Sequence, residues 1–142
     1  MRILHLKLIM ITGIEHIGIA VNSLEKSESL FDKLLGKENY KREKVESEAV
    51  TTSFYDSGNS KIELLESENE LSAISKFISK KGEGIHHIAL ASNNINEDIE
   101  RLKHDGFKFI DETPKAGADG KLIVFLHPKS TNGVLVEICQ DR

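Results

Sequence analysis

Hydrophobic and polar positions alternate most regularly in two stretches of this chain. Gly13-Ile14-Glu15-His16-Ile17-Gly18-Ile19-Ala20-Val21 is echoed by Gly84-Ile85-His86-His87-Ile88-Ala89-Leu90-Ala91, with His16 falling on His87. A period of two is the mark of a half-buried strand. Ile17, Ile19 and Val21 share one face, and His16, Gly18 and Ala20 the other. In the second copy Ile88 and Leu90 oppose His87, Ala89 and Ala91. Each strand thus carries a bulky apolar face and a face where one imidazole sits among very small residues. Small neighbours leave room beside the imidazole for another group.

Helical periodicity follows each of these strands. After a cap at Asn22-Ser23, Leu24, Leu30, Phe31, Leu34 and Leu35 form an apolar stripe that ends at Gly36. Three strand-like runs come next, around residues 40–45, 50–56 and 61–65, with a hairpin turn at Asp56-Ser57-Gly58-Asn59. Residues 66–83 connect the halves. They contain a helix read from Leu71, Ile74, Phe77 and Ile78, terminated by Lys80-Lys81-Gly82-Glu83-Gly84. The second cycle repeats the order. A strand over 85–91 leads to a cap at Asn93 or Asn94 and a helix with Ile95, Ile99 and Leu102 inward, stopped by Gly106. Strands are expected near 108–111, 122–126 and 133–138, with loops at 115–120 and 127–133. The pattern is βαβββ, written twice.

A second repeat reinforces the first. Lys61-Ile62-Glu63-Leu64-Leu65 resembles Leu135-Val136-Glu137-Ile138-Cys139, each a strand-like run with one carboxylate among apolar residues. A lone carboxylate in an apolar strand is costly to bury unless it is paired or binds a metal. Two imidazoles and two carboxylates at matched places make a full ligand set for one divalent ion. We therefore expect His16, Glu63, His87 and Glu137 to share one metal site. His86 has the opposite parity to His87 and is expected to pack or to support a ligand. His127 belongs to a substrate-side loop or supports its turn, while His5 and His104 are expected to be exposed. Lys129 and Ser130 either meet a phosphate or carboxylate of a substrate or shape the turn beside Pro128.

Composition narrows the function class. The 142 residues are 39% hydrophobic and 30% charged, as in a water-soluble globular domain, and carry a net charge of −4. That charge, the absence of a basic run and the absence of Trp argue against nucleic acid. The apolar run over residues 1–12 is interrupted by His5 and Lys7, is too short to span a membrane and lacks a small-residue cleavage site. Met10 stands just before the first repeat, so residues 1–9 are expected to be dispensable, the rival reading being an extra edge strand. The single Cys139 cannot form an internal disulfide, which fits a cytoplasmic protein, and is read as a small buried hydrophobe. Gly117 and Gly120 lack the spacing and following helix of a dinucleotide fingerprint. No Ser-His-Asp or Cys-His nucleophile set is legible.

The paired βαβββ pattern, with ligand candidates on the first and last strand of each half, resembles the vicinal oxygen chelate superfamily, which includes glyoxalase I. Within it, Glu-His-Ile-Gly-Ile-Ala-Val, Lys-Gly-Glu-Gly-Ile-His-His-Ile-Ala and Phe-Leu-His-Pro-Lys-Ser followed by Gly-Val-Leu-Val-Glu resemble the methylmalonyl-CoA epimerase family from Gly13 to the C-terminus. The resemblance implies an α+β fold: two tandem βαβββ modules forming one curved, incomplete-barrel mixed sheet around a metal site. It implies a single domain over 13–142, with modules at 13–65 and 84–142, a linker helix within 66–83 and an N-terminal extension over 1–12. His16, His87 and Glu137 match the family's metal ligands, and Glu63 sits where members place a further Gln or Glu ligand. Ser47-Glu48-Ala49-Val50 departs from the Glu-Gln-Gly-Val of many members, and no residue near it matches a second base proposed for some of them. Glu137 is the expected catalytic base, with Glu63, a water or an unmatched residue as its partner. The implied cofactor is a divalent metal, cobalt first, with zinc, manganese, nickel or magnesium as alternatives. The implied partner is a CoA thioester substrate, with no nucleic acid and no membrane, and the implied assembly is a homodimer. A glyoxalase I-like lactoylglutathione lyase and a metal-free small-molecule-binding protein are the alternative readings.

Overall fold

The computed structural model describes residues 11–142. The expectations for residues 1–9 and for a start at Met10 lie outside the described residues. In chain order the elements are β1 (Ile11–Val21), α1 (Leu24–Leu35), β2 (Lys41–Val45), β3 (Val50–Asp56), β4 (Lys61–Ser67), α2 (Ala73–Lys81), β5 (Gly84–Ser92), α3 (Ile95–His104), β6 (Lys115–Ala116), β7 (Lys121–Phe125) and β8 (Val136–Asp141). Among the described residues no helix is long and apolar enough to cross a membrane.

The chain forms two compact units. One is Glu15–Ile88, and the other joins the described residues up to Ile14 with Ala89–Arg142. Strands β1 and β5 each contribute to both.

In the Glu15–Ile88 unit the strand order is β2-β3-β4-β1-β5. β2 and β3 are antiparallel, as are β3 and β4. β4 runs parallel to β1, with His16 opposite Lys61 and Gly18 opposite Glu63. In-register partners point to the same face, so Lys61 and Glu63 join His16 and Gly18 on one side. Farther along that side, Ala20, Leu65 and Val50 pack with Ile74, Phe77 and Ile78 of α2. On the opposite side Ile19, Val21, Ile62 and Leu64 pack with Leu24, Phe31 and Leu35 of α1.

Helix α1 is capped as its sequence demands. Ser23 Oγ accepts the Lys26 N–H at 3.2 Å, and Gly36 closes the last turn in the left-handed region at φ 73°. Its apolar stripe is narrower than expected, because Leu30 and Leu34 point outward, 63% and 70% exposed. The inward place one turn after Leu24 belongs to Glu28. Its carboxylate accepts from Arg42 Nε at 2.8 Å, Arg42 Nη2 at 2.6 Å and Ser53 Oγ at 2.7 Å. Leu71 is likewise exposed: it precedes the Ser72 cap, whose Oγ accepts the Ser75 N–H, so it lies outside α2.

In the second unit the order is β1-β5-β8-β7-β6. Thr12 Oγ1 donates to Ala91 O at 3.4 Å, and Ile11 packs on a core of Ile95, Ile99, Leu102, Val124, Leu126 and Ile138. Asn94 is the cap of α3, its side chain accepting the Glu97 N–H, and Ile95, Ile99 and Leu102 are buried as expected. Asp98 is fully buried as well, held by Ser92 Oγ at 2.6 Å and by Arg101.

The strand expected at 108–111 is reduced to a single bridge between Phe109 and Leu126. Asp111 Oδ1 accepts the Thr113 N–H at 3.0 Å, turning the chain before Pro114, which has no N–H to extend a ladder. The stretch read as a loop at 115–120 holds the two-residue β6, paired with Ile123 and Leu122.

Candidate metal centre

Three of the four sequence-predicted ligands fall within the Glu15–Ile88 unit, and the strand pattern explains their meeting. His16 is on β1, Glu63 on the parallel neighbour β4, and His87 on β5. All three are buried, at 4%, 4% and 5% exposure. His16 Nε2 lies 3.0 Å from His87 Nε2, with the rings edge to face at a centroid separation of 5.1 Å. Glu63 Oε2 lies 3.2 Å from His16 Nδ1. Glu137, the fourth, is on β8 opposite Phe125, and at 4% exposure is as buried as the others.

Gly18 makes room for His87. A β-carbon at position 18 would lie 2.3 Å from His87 Cε1, so any side chain there would drive the ring away. The glycine at position 18 is therefore a packing requirement.

Burial holds the His87 pKa well below the usual histidine value, and the neighbouring His16 and His86 add to the effect. A ring kept neutral keeps a lone pair for a cation. His86 supports His87 directly: their Nδ1 atoms are 3.0 Å apart, and the His86 ring packs edge-on against Phe77 at 5.0 Å. Burial lowers the His86 pKa too, while Glu48 opposes the shift.

One residue of the cluster was not assigned from sequence. Glu15 Oε1 lies 2.5 Å from His16 Nδ1, and Glu15 Oε2 lies 2.8 Å from Lys61 Nζ. Burial alone would raise the pKa of this carboxyl, but hydrogen bonds and charge from His16 and Lys61 overcome it and hold it down at about 2. Strand parity hides Glu15 by assigning it to the face away from His16. The available signal was its place next to His16 in the chain, with Lys61 in register.

Imidazole nitrogens and carboxylate oxygens, buried together, are the donor set that a divalent first-row cation takes. The two Nε2 atoms of His16 and His87 face each other at 3.0 Å, and the Glu63 carboxylate lies 3.2 Å from the His16 ring. The residues present fit a divalent metal.

The other candidates have structural duties. His127 Nδ1 accepts the Lys129 N–H at 3.1 Å, and Ser130 Oγ accepts the Lys108 N–H at 2.9 Å, so both shape the turn that starts at Pro128. Cys139 is 1% exposed, with Sγ 3.6 Å from Leu90 O.

Residues 15–125 match the family model of the glyoxalase/bleomycin resistance protein/dioxygenase superfamily. The chain is 40% identical over 129 residues to the uncharacterised protein YqjC of Bacillus subtilis (strain 168), covering 91% of this chain and 92% of that one. It is 39% identical over 133 residues to the ethylmalonyl-CoA/methylmalonyl-CoA epimerase of Cereibacter sphaeroides, covering 92% and 99%. A solved structure of a methylmalonyl-CoA epimerase in complex with methylmalonyl-CoA and NH4+ superposes with a TM-score of 0.86 at 34% identity, covering 92% of this chain and 95% of that one.

Proposed function

This chain belongs to the glyoxalase/bleomycin resistance protein/dioxygenase superfamily, and from that membership we propose that it is a metal-dependent epimerase of methylmalonyl-CoA, exchanging the proton at C2. The observation that carries the reading is the buried pair of imidazoles with Nε2 atoms 3.0 Å apart beside Glu63, in a chain so similar to epimerases over nearly its whole length.

In this reading His16, Glu63, His87 and Glu137 hold one divalent ion, cobalt or another first-row metal. The support for Glu137 is its burial and its place in the strand repeat that also carries Glu63. When bound, such an ion supplies Lewis acidity where negative charge develops on the thioester oxygen as C2 loses its proton. Glu137 accepts the C2 proton as general base, and Glu63 or a water returns a proton to the opposite face.

The modules at 13–65 and 84–142, joined through 66–83, act in this reading as one domain, and two copies assemble as a cytoplasmic homodimer. Light scattering checks the dimer.

The test is turnover of one methylmalonyl-CoA epimer in deuterated water, followed by NMR with and without chelator. Metal-dependent epimerisation with deuterium entering C2 is the expected result. Absence of C2 exchange in the cobalt-loaded protein, or turnover of a glutathione hemithioacetal instead, overturns the assignment.

A further inference from the structure

Glu15 sits beside the site but has no role in the proposed ligand set. Both of its oxygens are engaged, Oε1 with His16 Nδ1 at 2.5 Å and Oε2 with Lys61 Nζ at 2.8 Å. Its side chain is 13% exposed and that of Lys61 21%, so the pair is well shielded from solvent. Lys61 is the in-register partner of His16 across β1 and β4, which brings its ammonium to the carboxylate without any loop. A carboxylate tied to an ammonium and an imidazole is a poor candidate for a further ligand. It is well built for fixing the imidazole.

From this geometry we propose that Glu15, clamped by Lys61, is a positioning residue that holds His16 in the Nδ1–H tautomer and so presents Nε2 to a metal ion. An ionised carboxylate can only accept, so the proton between Glu15 and His16 belongs to Nδ1. A neutral ring with its proton on Nδ1 carries its lone pair on Nε2, the atom that faces His87 Nε2 at 3.0 Å. Glu63 Oε2, 3.2 Å from the same Nδ1, is the longer contact, which makes Glu15 the principal acceptor. A carboxylate behind a ligating histidine fixes the ring's rotation and raises its basicity, and losing one typically weakens metal binding by ~10–100-fold. The inference rests on the metal-site reading above.

The experiment compares the wild type, Glu15→Gln, Glu15→Asp and Lys61→Met as full chains. Histidine 15N NMR of the metal-free proteins reads the His16 tautomer. Cobalt affinity is measured by competition with a chelator, and thermal melting of the metal-free proteins confirms folding. The wild type should show the Nδ1–H form. Glu15→Gln should mix the tautomers and weaken cobalt binding by ~10–100-fold, Lys61→Met should weaken it less, and Glu15→Asp should restore part of the loss. A His16 tautomer and cobalt affinity unchanged in both Glu15→Gln and Lys61→Met overturn the inference. A wild type that binds no cobalt instead overturns the metal-site reading, and the tautomer measurement, which needs no metal, then decides the role of Glu15 on its own.

Discussion

Gly18 faces the His87 ring across a space that accepts no further carbon. Gly18→Ala should therefore displace the ring, weakening cobalt binding at least ~10-fold and costing roughly 1–3 kcal/mol through overpacking. Calorimetric titration with cobalt and a melting curve of the metal-free variant check the two effects. That His16 and His87 are buried imidazoles beside small residues was legible from alternation alone, because a strand sends every second side chain to one face. Glu15 was not legible, because its contact with His16 depends on how two adjacent side chains bend around β1, which parity ignores. Ala49 is a third residue-scale case. It lies in the left-handed region at φ 53°, where a β-carbon costs about 1–2 kcal/mol, and its carbonyl accepts the Glu68 N–H at 2.7 Å. This is where the chain departs from the Glu-Gln-Gly-Val of many relatives, and the backbone angle gives the physical reason for a glycine there. After the greater flexibility of an unfolded glycine is offset, Ala49→Gly should stabilise by roughly 0.5–1 kcal/mol, read as a small rise in melting temperature.

Among the elements, α1 is joined to its sheet by a polar contact as well as by apolar packing. Glu28 gathers Arg42 from β2 and Ser53 from β3, and the Tyr55 hydroxyl of β3 donates to Asp32 Oδ1 at 2.6 Å one turn farther along. Leu30 and Leu34 appeared to extend the apolar stripe because periodicity counts apolar residues and cannot foresee a carboxylate taking an inward place. The same limit hid Asp98 in α3. The starts of α1 and α3 were readable, since caps such as Ser23 and Asn94 announce themselves chemically. The short β6 and the missing strand at 108–111 were not, because both depend on what lies opposite. Glu28→Gln should cost about 1.5–3 kcal/mol, the worth of hydrogen bonds to a charged group, measured by urea denaturation near neutral pH. The Arg42 guanidinium holds the Glu28 pKa below its ordinary 4.5 against a smaller opposing effect of burial, with Ser53 helping. A depressed carboxyl contributes stability that is complete above the unfolded pKa and is lost as pH falls through the folded one. The stability difference between wild type and Glu28→Gln should therefore be largest above about pH 5 and shrink steadily on acidification.

At the scale of the whole molecule, a bound ion couples the site to global stability. A ligand present at one hundred times its dissociation constant stabilises the folded state by about 2.7 kcal/mol. For a chain of this size that is roughly 5–10 °C in melting temperature. Cobalt-loaded protein should accordingly melt that much higher than protein treated with chelator, and His16→Ala should abolish the difference. Strand β1 raises a separate matter of timing. Residues Glu15–Ile88 are contiguous, so that unit can close while the ribosome is still at work. Ile11–Ile14 are made before it, yet they belong with Ala89–Arg142, where Thr12 meets Ala91 and Ile11 meets the cluster around Ile138. At ordinary elongation rates, a wait on the order of ten seconds separates the synthesis of that short apolar edge from the synthesis of its last partners. Thr12 gains its neighbour Ala91 as soon as β5 is made, whereas Ile11 waits for Ile138 before its cluster is complete.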